Sequence, residues 1–131
     1  MIKAKRQSEI KDMLCSCDTC NDTDTLFKKL QELGKNLRYN ERLNQTLDVL
    51  NTLGNIERLI IINVLEEKDR CVCELEAILD KSQPSISHHL RELEKLDLIR
   101  GWKRGKYTYY SLNLDMLNKL LTQTCKFLNF E

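Results

Sequence analysis

Two cysteines separated by a single residue, Cys71 and Cys73, carry the strongest chemical signal in this sequence. Thiolate sulfur is the ligand that soft metal ions prefer. In the middle of a helix the two thiols would lie about 100° to either side of Val72 and would diverge too far to share one ion. At a helix start the first residues can leave helical geometry, and the helix dipole favours the thiolate there. The pair therefore predicts a metal or redox site at the beginning of a helix.

The N-terminal segment carries a second sulfur cluster, which consists of Cys15, Cys17 and Cys20. Together with the first pair it could supply three or four thiolates, a donor set that suits Cd(II), Pb(II), Zn(II), Cu(I) or As(III). Thiols must lose their protons to bind, so metal affinity should fall at low pH. A sixth cysteine, Cys125, lies on the last predicted helix, where we expect a core position.

Each cluster also has a structural alternative. The first pair could be two half-buried structural cysteines, and the second cluster could be a structural zinc site or a disordered tail. The spacing of Cys17 and Cys20 also matches the CxxC motif of thioredoxin-like enzymes, but no βαβ pattern surrounds it. A redox enzyme would show disulfide reductase turnover and no DNA affinity, and we expect neither.

Polar side chains occupy the outer face of the second helix after the CxC pair: Gln83, Ser85, Ser87, His88 and Arg91. Such side chains can reach phosphates or base edges of DNA. A basic hairpin follows, with Lys103, Arg104 and Lys106 and no acidic residue between Ile99 and Tyr110. We expect these cations to contact the DNA backbone. Any single one of these residues is more often plain solvated surface, and their joint position is what favours DNA.

The elements that position these residues follow from apolar periodicity. Leucines at helical spacing predict helices over 26–37 and 41–53, and the very apolar segment Ile56–Leu65 predicts the most buried helix. A helix starting near Asp69 or Arg70 and a second one after Pro84 fit a helix-turn-helix. Strands from Leu98 and over 107–112 form a hairpin. The sequence predicts a mainly α fold with a small β-hairpin wing, a winged helix-turn-helix.

An arm over residues 1–22 and one domain over 23–131 complete the predicted organisation. The last helix, from Asn113, is broadly apolar although the domain is already complete, so it predicts a homodimer interface, with helices at both ends of the domain taking part. The chain has 131 residues, of which 41% are hydrophobic and 31% charged, which is typical of a globular protein. No apolar run approaches the roughly 20 residues that cross a bilayer. No signal segment is apparent, so we expect a cytoplasmic protein without a membrane partner.

Six cysteines in that compartment indicate metal binding or redox chemistry rather than a disulfide framework. The net charge of +1 and a pI of about 7.6 are not the global signature of a nucleic-acid binder, so DNA binding would depend on the basic hairpin alone. The chain has only four glycines and no phosphate-cradling loop, and we expect neither an enzyme nor an organic cofactor.

The order of these motifs resembles the ArsR/SmtB type of metal-responsive repressors. The matching segments are 71–75 (CVCEL), 83–90 (QPSISHHL), 104–106 (RGK) and 109–112 (YYSL). The resemblance implies a homodimer on double-stranded operator DNA, with the Gln83–Asp97 helix in the major groove and the hairpin on the flanking backbone. It also implies that metal binding lowers DNA affinity.

Within this family the chain resembles the cadmium- and lead-responsive branch, where arm cysteines join the CxC pair, typically across the dimer. The implied ligands are Cys71 and Cys73 with thiols from Cys15, Cys17 and Cys20, and which arm thiols bind, and from which subunit, stays open. Arsenic sensors of the family often have a third cysteine where this chain has Glu76. Zinc sensors use a histidine where it has Leu117. The alternative function is a thiol-based redox-sensing regulator of the same fold.

Overall fold

The structure is a computed structural model that describes residues 1–15 and 22–129. The chain divides into two compact units, Met1–Asn44 and Gln45–Glu131. The helices are α1 (Ala4–Cys15), α2 (Thr23–Arg38), α3 (Glu41–Leu53), α4 (Ile56–Glu67), α5 (Val72–Leu79), α6 (Gln83–Lys95) and α7 (Leu114–Phe127), and the strands are β1 (Arg70–Cys71), β2 (Ile99–Arg104) and β3 (Tyr107–Leu112).

The first unit contains α1, α2 and the start of α3. The N-cap of α2 is Asp22, whose carboxylate accepts the backbone N–H of Asp24 at 3.1 Å. Lys11 of α1 pairs with Asp24 at 2.8 Å, and its ammonium lies 5.2 Å from the centre of the Phe27 ring. The predicted arm, residues 1–22, lies within this unit, and its separation from a domain that begins at residue 23 stays a prediction.

The second unit is built around one apolar core. The sequence of α4 is apolar on most sides, and Asn55 caps this helix by accepting the backbone N–H of Arg58 at 3.2 Å. The fully or nearly buried side chains of the core are Ile61, Leu65, Leu75, Leu79, Ile86, Leu90, Leu93, Leu98 and Ile99. None of the helices in the described part of the chain is long and apolar enough to span a membrane.

The helices α5 and α6 with the hairpin β2–β3 form the predicted winged helix-turn-helix, so the predicted mainly α fold with a small wing is confirmed. The three strands pair antiparallel in the order β1-β3-β2. Arg104 pairs with Tyr107 across the two-residue turn of the wing. Gly105 begins that turn with a φ of 62°, a conformation that glycine adopts without the steric cost a side chain would add.

Two sequence-based expectations differ from the structure. We expected the first helix of the pair to begin near Asp69 or Arg70, but Arg70 and Cys71 form β1 and pair with Tyr110 and Tyr109 of β3. The helix α5 therefore begins at Val72. Cys125 was expected in the core, but it is exposed, because α7 turns Met116, Leu117 and Leu120 toward the core instead.

Candidate metal centre and nucleic-acid interface

Cys71 and Cys73 lie at the junction between β1 and α5. Cys71 is the N-cap residue of α5 and has extended backbone angles, φ −81° and ψ 163°. Because the chain is extended here, the two side chains do not diverge as they would within a helix, and their Sγ atoms are 2.6 Å apart. Cys71 is buried, Cys73 is exposed, and both are free thiols. The helix start thus brings the two sulfurs together, as the sequence pattern predicts.

The backbone of this junction is held in place by Glu74. The Glu74 carboxylate accepts the backbone N–H of Cys71 at 3.2 Å and pairs with Arg70 at 3.3 Å. The guanidinium of Arg70 also pairs with Glu67 at 2.9 Å and donates to the Val64 carbonyl at 3.3 Å. These contacts hold the pKa of Glu74 below its ordinary value, chiefly through the hydrogen bond from Cys71. The carboxylate of Glu74 is therefore committed to the backbone cap.

The neighbouring thiol and burial raise the pKa of Cys71 above its ordinary value. The hydrogen bond with Cys73 contributes most, and desolvation comes second. The backbone N–H of Glu74 lowers the pKa of the Cys71 thiol, but this effect is the smaller one. Our expectation that the helix start would favour the thiolate is therefore wrong for Cys71. A metal ion must displace its proton in order to bind.

A pocket of about 240 Å³ opens beside the two thiols. Its lining residues come from the β1–α5 junction, from the start of α6 and from the wing: Cys71, Val72, Cys73, Glu76, Gln83, Lys106, Tyr107 and Thr108. The same pocket thus contacts the sulfur pair and one residue of each predicted DNA-binding element, Gln83 on α6 and Lys106 on the wing.

The pair fits a soft metal ion in part. Two sulfurs about 2.3 Å from a tetrahedral ion are about 3.8 Å apart, so Cys71 and Cys73 would have to separate by about 1 Å. Rotation of the exposed Cys73 side chain can provide this. Within residues 1–15 and 22–129, no three Cys, His, Asp or Glu side chains stand close enough together to hold an ion. The pair therefore needs further donors that approach on binding.

The arm cysteines are only partly described by the structure. Cys15 is the last residue of α1 in the first unit, and its thiol is free and exposed. The predicted ligands Cys17 and Cys20 lie outside the described residues. The assignment of all three as ligands stays a prediction.

The outer face of α6 presents the predicted DNA contacts to solvent. Gln83, His88 and Arg91 are exposed, and Ser85 and Ser87 are half-buried. The opposite face of the helix is buried in the core through the side chains of Ile86, Leu90 and Leu93. This exposed polar face is available to a DNA groove.

Arg91 is free to contact DNA. The neighbouring Glu92 pairs with Lys95 at 2.8 Å and not with Arg91. In the part of the chain that the structure describes, the Arg91 guanidinium makes no ion pair. Its charge is therefore not neutralised by an acidic side chain of the described residues.

On the wing, the three predicted phosphate contacts Lys103, Arg104 and Lys106 are exposed. The fourth base of the hairpin, Arg100, pairs with Asp97 at 3.4 Å. The first three have no acidic partner among the described residues, and the Lys106 ammonium lies 5.5 Å from the centre of the Tyr107 ring. The wing therefore offers three uncompensated positive charges for phosphate contacts.

A hydrogen-bonded triangle that the sequence did not predict joins the wing to the segment before β1. The Trp102 indole N–H donates to Asp69 and to Ser111, both at 3.0 Å. The Ser111 hydroxyl donates to the same Asp69 carboxylate at 2.7 Å. The Trp102 ring also stacks on Tyr109 at 5.0 Å. These contacts attach Trp102 of the wing to the segment before β1.

His89 of α6 contacts α4. Its Nε2 lies 3.5 Å from the Glu57 carboxylate, which also faces Lys81 at 3.7 Å. The side chain of His89 is only 12% exposed. Burial, followed by the charge of Arg58, lowers the pKa of His89 below its ordinary value, and Glu57 offsets this only in part. A contact between residues so far apart in the chain has no local sequence signal.

Comparison with known proteins gives one family. The model for "bacterial regulatory protein, arsR family" matches residues 57–100, which span α4, α5, α6 and the start of β2. A cadmium resistance transcriptional regulatory protein CadC homolog of Staphylococcus aureus is 31% identical over 105 residues, which is 79% of this chain and 86% of the relative.

Two further comparisons agree with that result. The cadmium resistance transcriptional regulatory protein CadC of Listeria innocua is 40% identical over 68 residues, which is 50% of this chain. The chain spans 57% of that relative. The crystal structure of a possible transcriptional regulator for arsenical resistance superposes with a TM-score of 0.56 at 29% identity, over 61% of this chain and 83% of the other.

Proposed function

This chain belongs to the arsR family of bacterial regulatory proteins and is a DNA-binding transcriptional regulator, not an enzyme; on that premise we propose that it is a metal-responsive repressor. In this proposal a homodimer binds double-stranded operator DNA and is released when a soft ion, Cd(II), Pb(II), Zn(II) or As(III), binds its cysteine thiolates. Relatives named for cadmium and arsenical resistance support the choice of effector.

The observation that carries the proposal is the pocket beside Cys71 and Cys73. In the proposal, a change in the sulfur pair alters this pocket, which Gln83 and Lys106 also line. In addition, Cys71 stands opposite Tyr109 of the wing strand β3 in the antiparallel sheet. An ion that pulls the two thiols into its own geometry therefore acts on both the recognition helix and the wing.

The proposed donor set includes thiols of the arm, Cys15, Cys17 and Cys20. Two thiolates leave a tetrahedral ion short of two ligands, and structural sites for such ions are almost always four-coordinate. Sulfur from the arm would supply what the pair lacks. Metal-binding stoichiometry and affinity of a variant with all three arm cysteines replaced by serine would test this part of the proposal.

The switch needs an energy difference between two states. A metal ion releases DNA only if it binds the DNA-incompetent state more tightly. The coupling is reciprocal and typically amounts to about 1–3 kcal/mol, which is about 5–150-fold in affinity. We therefore expect saturating Cd(II) to weaken operator binding by about this factor, and operator DNA to weaken Cd(II) binding equally.

The test uses the promoter upstream of the protein's own gene in a DNA-binding titration under reducing conditions, with and without Cd(II), Pb(II), Zn(II) and As(III). Cys71→Ser and Cys73→Ser should keep the metal-free DNA affinity within about twofold and lose the response, since they remove ligands and leave the DNA-binding face intact. Cys125→Ser removes another exposed free thiol and is the matched control. If added metal still releases operator DNA fully from the Cys71→Ser variant, the proposal is refuted.

The distance of 2.6 Å between the two free sulfurs also favours the alternative, a thiol-based redox sensor. In that case peroxide oxidises Cys71 and Cys73 to a disulfide, and dithiothreitol restores DNA binding. The two functions separate cleanly, because a metal sensor responds to Cd(II) while reductant is present and a redox sensor does not.

A further inference from the structure

We propose that the Glu76 carboxylate is a ligand of the ion held by Cys71 and Cys73, so that the site has a mixed sulfur and oxygen donor set. This inference rests on the proposed function and specifies the chemistry of its site. Such a set suits a borderline divalent ion, Zn(II) or Cd(II), better than it suits As(III), which takes three thiolates.

Glu76 lies in the right place on α5. It lines the same pocket as both thiols. Cys73 and Glu76 are three residues apart in a helix, and residues at this spacing lie on one face with Cβ atoms about 5–6 Å apart. A glutamate side chain is long enough to bring its oxygens from there to an ion bound at the Cys73 sulfur.

The carboxylate of Glu76 is also free, in contrast to that of Glu74. Glu74 is engaged by the Cys71 backbone N–H and by Arg70. Glu76 is half-buried, and in the described part of the chain its side chain makes no ion pair and no hydrogen bond. A half-buried carboxylate without a partner is stabilised by a cation that enters the pocket. Among the described residues, Cys71, Cys73 and Glu76 do not already form a three-donor cluster, so the Glu76 side chain must turn toward the ion on binding.

With Glu76, the pocket supplies three of the four ligands of a tetrahedral ion. Cys71, Cys73 and Glu76 supply two sulfurs and one oxygen, and one further donor such as water completes a tetrahedron. With a divalent ion, these three anionic side chains leave a net charge of −1 in a pocket that Lys106 also lines. In this proposal Lys106 balances the negative charge of the filled site and is no longer available to a DNA phosphate.

The experiment is a Zn(II) titration of the full chain against a chromophoric chelator in the presence of reductant. Glu76→Gln should weaken Zn(II) binding by at least about tenfold, the lower end of what loss of a site-supporting group costs. Glu66→Gln is the control, since it makes the same charge change at an exposed position outside the pocket. Thermal unfolding of each variant verifies that the fold is intact.

X-ray absorption spectroscopy of the Zn(II)-loaded chain supplies the second measurement. We expect sulfur at about 2.3 Å together with oxygen at about 2.0–2.2 Å, and an added sulfur in place of that oxygen in Glu76→Cys. Glu76→Cys should also bind As(III) at least about tenfold more tightly, because a third thiolate joins the pair.

The outcomes separate the two proposals. Unchanged Zn(II) affinity in Glu76→Gln, or an unchanged ligand shell in Glu76→Cys, overturns the role of Glu76 while the metal sensor stands. If Cys71→Ser and Cys73→Ser also leave Zn(II) and Cd(II) affinity unchanged, the proposed function itself fails.

Discussion

At the scale of single residues, Asp69 links the segment that carries the sulfur pair to the wing. One carboxylate oxygen accepts from both Trp102 and Ser111, and the next two residues form β1, which pairs with β3. The wing is thus attached to the segment that carries Cys71 by side-chain and by backbone hydrogen bonds. If the proposed metal ion displaces Cys71, we expect the wing strands to respond.

Replacing Asp69 should loosen the wing and increase the exposure of Trp102, which is 39% in the structure. Asp69→Ala removes the acceptor for two side chains, and we expect the free energy of unfolding to fall by about 1 kcal/mol. Because Trp102 is the only tryptophan of the chain, its fluorescence should shift to the red in the same variant. Asp48→Ala, at an exposed position in the middle of α3, is the matched control. An unchanged emission maximum in Asp69→Ala would mean that the triangle does not hold the indole.

Individual residues also show which contacts of the site could be predicted from the sequence. The meeting of Cys71 and Cys73 follows from their position at a helix start, since backbone there is free to be extended. The triangle does not follow, because its hydrogen bonds join residues 33 and 42 positions apart in the chain. The raised pKa of Cys71 does not follow from the helix start either. The helix dipole alone predicts a lowered pKa, but the hydrogen bond with the second thiol, Cys73, has the larger effect and raises it.

At the scale of elements, α6 is positioned by apolar burial on one side and by one polar contact at its edge. Ile86, Leu90 and Leu93 fix the rotation of the helix, which turns the polar face outward. His89 adds the contact to Glu57 of α4, within a group that also contains Arg58 and Lys81. Because the Nδ1 atom of His89 is buried without a hydrogen-bond partner, a proton there would have no acceptor.

This contact predicts a loss of stability in mild acid. Folding lowers the pKa of His89, so the unfolded chain, with an ordinary value of about 6.5, binds the proton more readily than the folded chain. Stability is therefore complete above about pH 6.5 and is lost as the pH falls below it. Denaturant unfolding between pH 7 and pH 5 measures this.

The two adjacent histidines provide an internal control for that experiment. His89→Gln should reduce the dependence of unfolding free energy on pH, whereas His88→Gln, at an exposed position, should keep the dependence of the unmodified chain. If the unfolding free energy depends on pH equally in the unmodified chain and in His89→Gln, other groups cause the loss of stability in acid.

Most helices and strands were predictable from the sequence, and β1 is the exception. The apolar periods of α6 and α7 and the continuous apolar run of α4 gave their positions, because each helix turns apolar side chains toward the core. The strand β1 has only two residues, too few to show a period of two, and its partner β3 lies almost forty positions further along the chain. A short strand of this kind is specified by the sheet it joins and not by its own sequence.

At the scale of the molecule, α7 leaves apolar surface uncovered. Met116, Leu117 and Leu120 pack on the core, while Leu114, Leu121 and Leu128 are 48%, 40% and 44% exposed. The exposed leucines are seven residues apart, so they form one stripe along the helix. An exposed apolar stripe is typical of an interaction site, and the predicted homodimer would cover it. Two recognition helices could then address half-sites roughly 34 Å apart.

A single charge in that stripe should separate the dimer without unfolding the chain. Leu121→Glu should raise the dimer dissociation constant by at least about a hundredfold, because each of the two leucines lost is worth about 1.5 kcal/mol or more. Gln123→Glu introduces the same side chain and charge at an exposed position on the other side of α7 and should leave the dimer intact. Sedimentation measures the association and circular dichroism the fold. If the Leu121→Glu variant remains as dimeric as the Gln123→Glu control, the dimer interface lies elsewhere. The operator affinity of the two variants should then be the same.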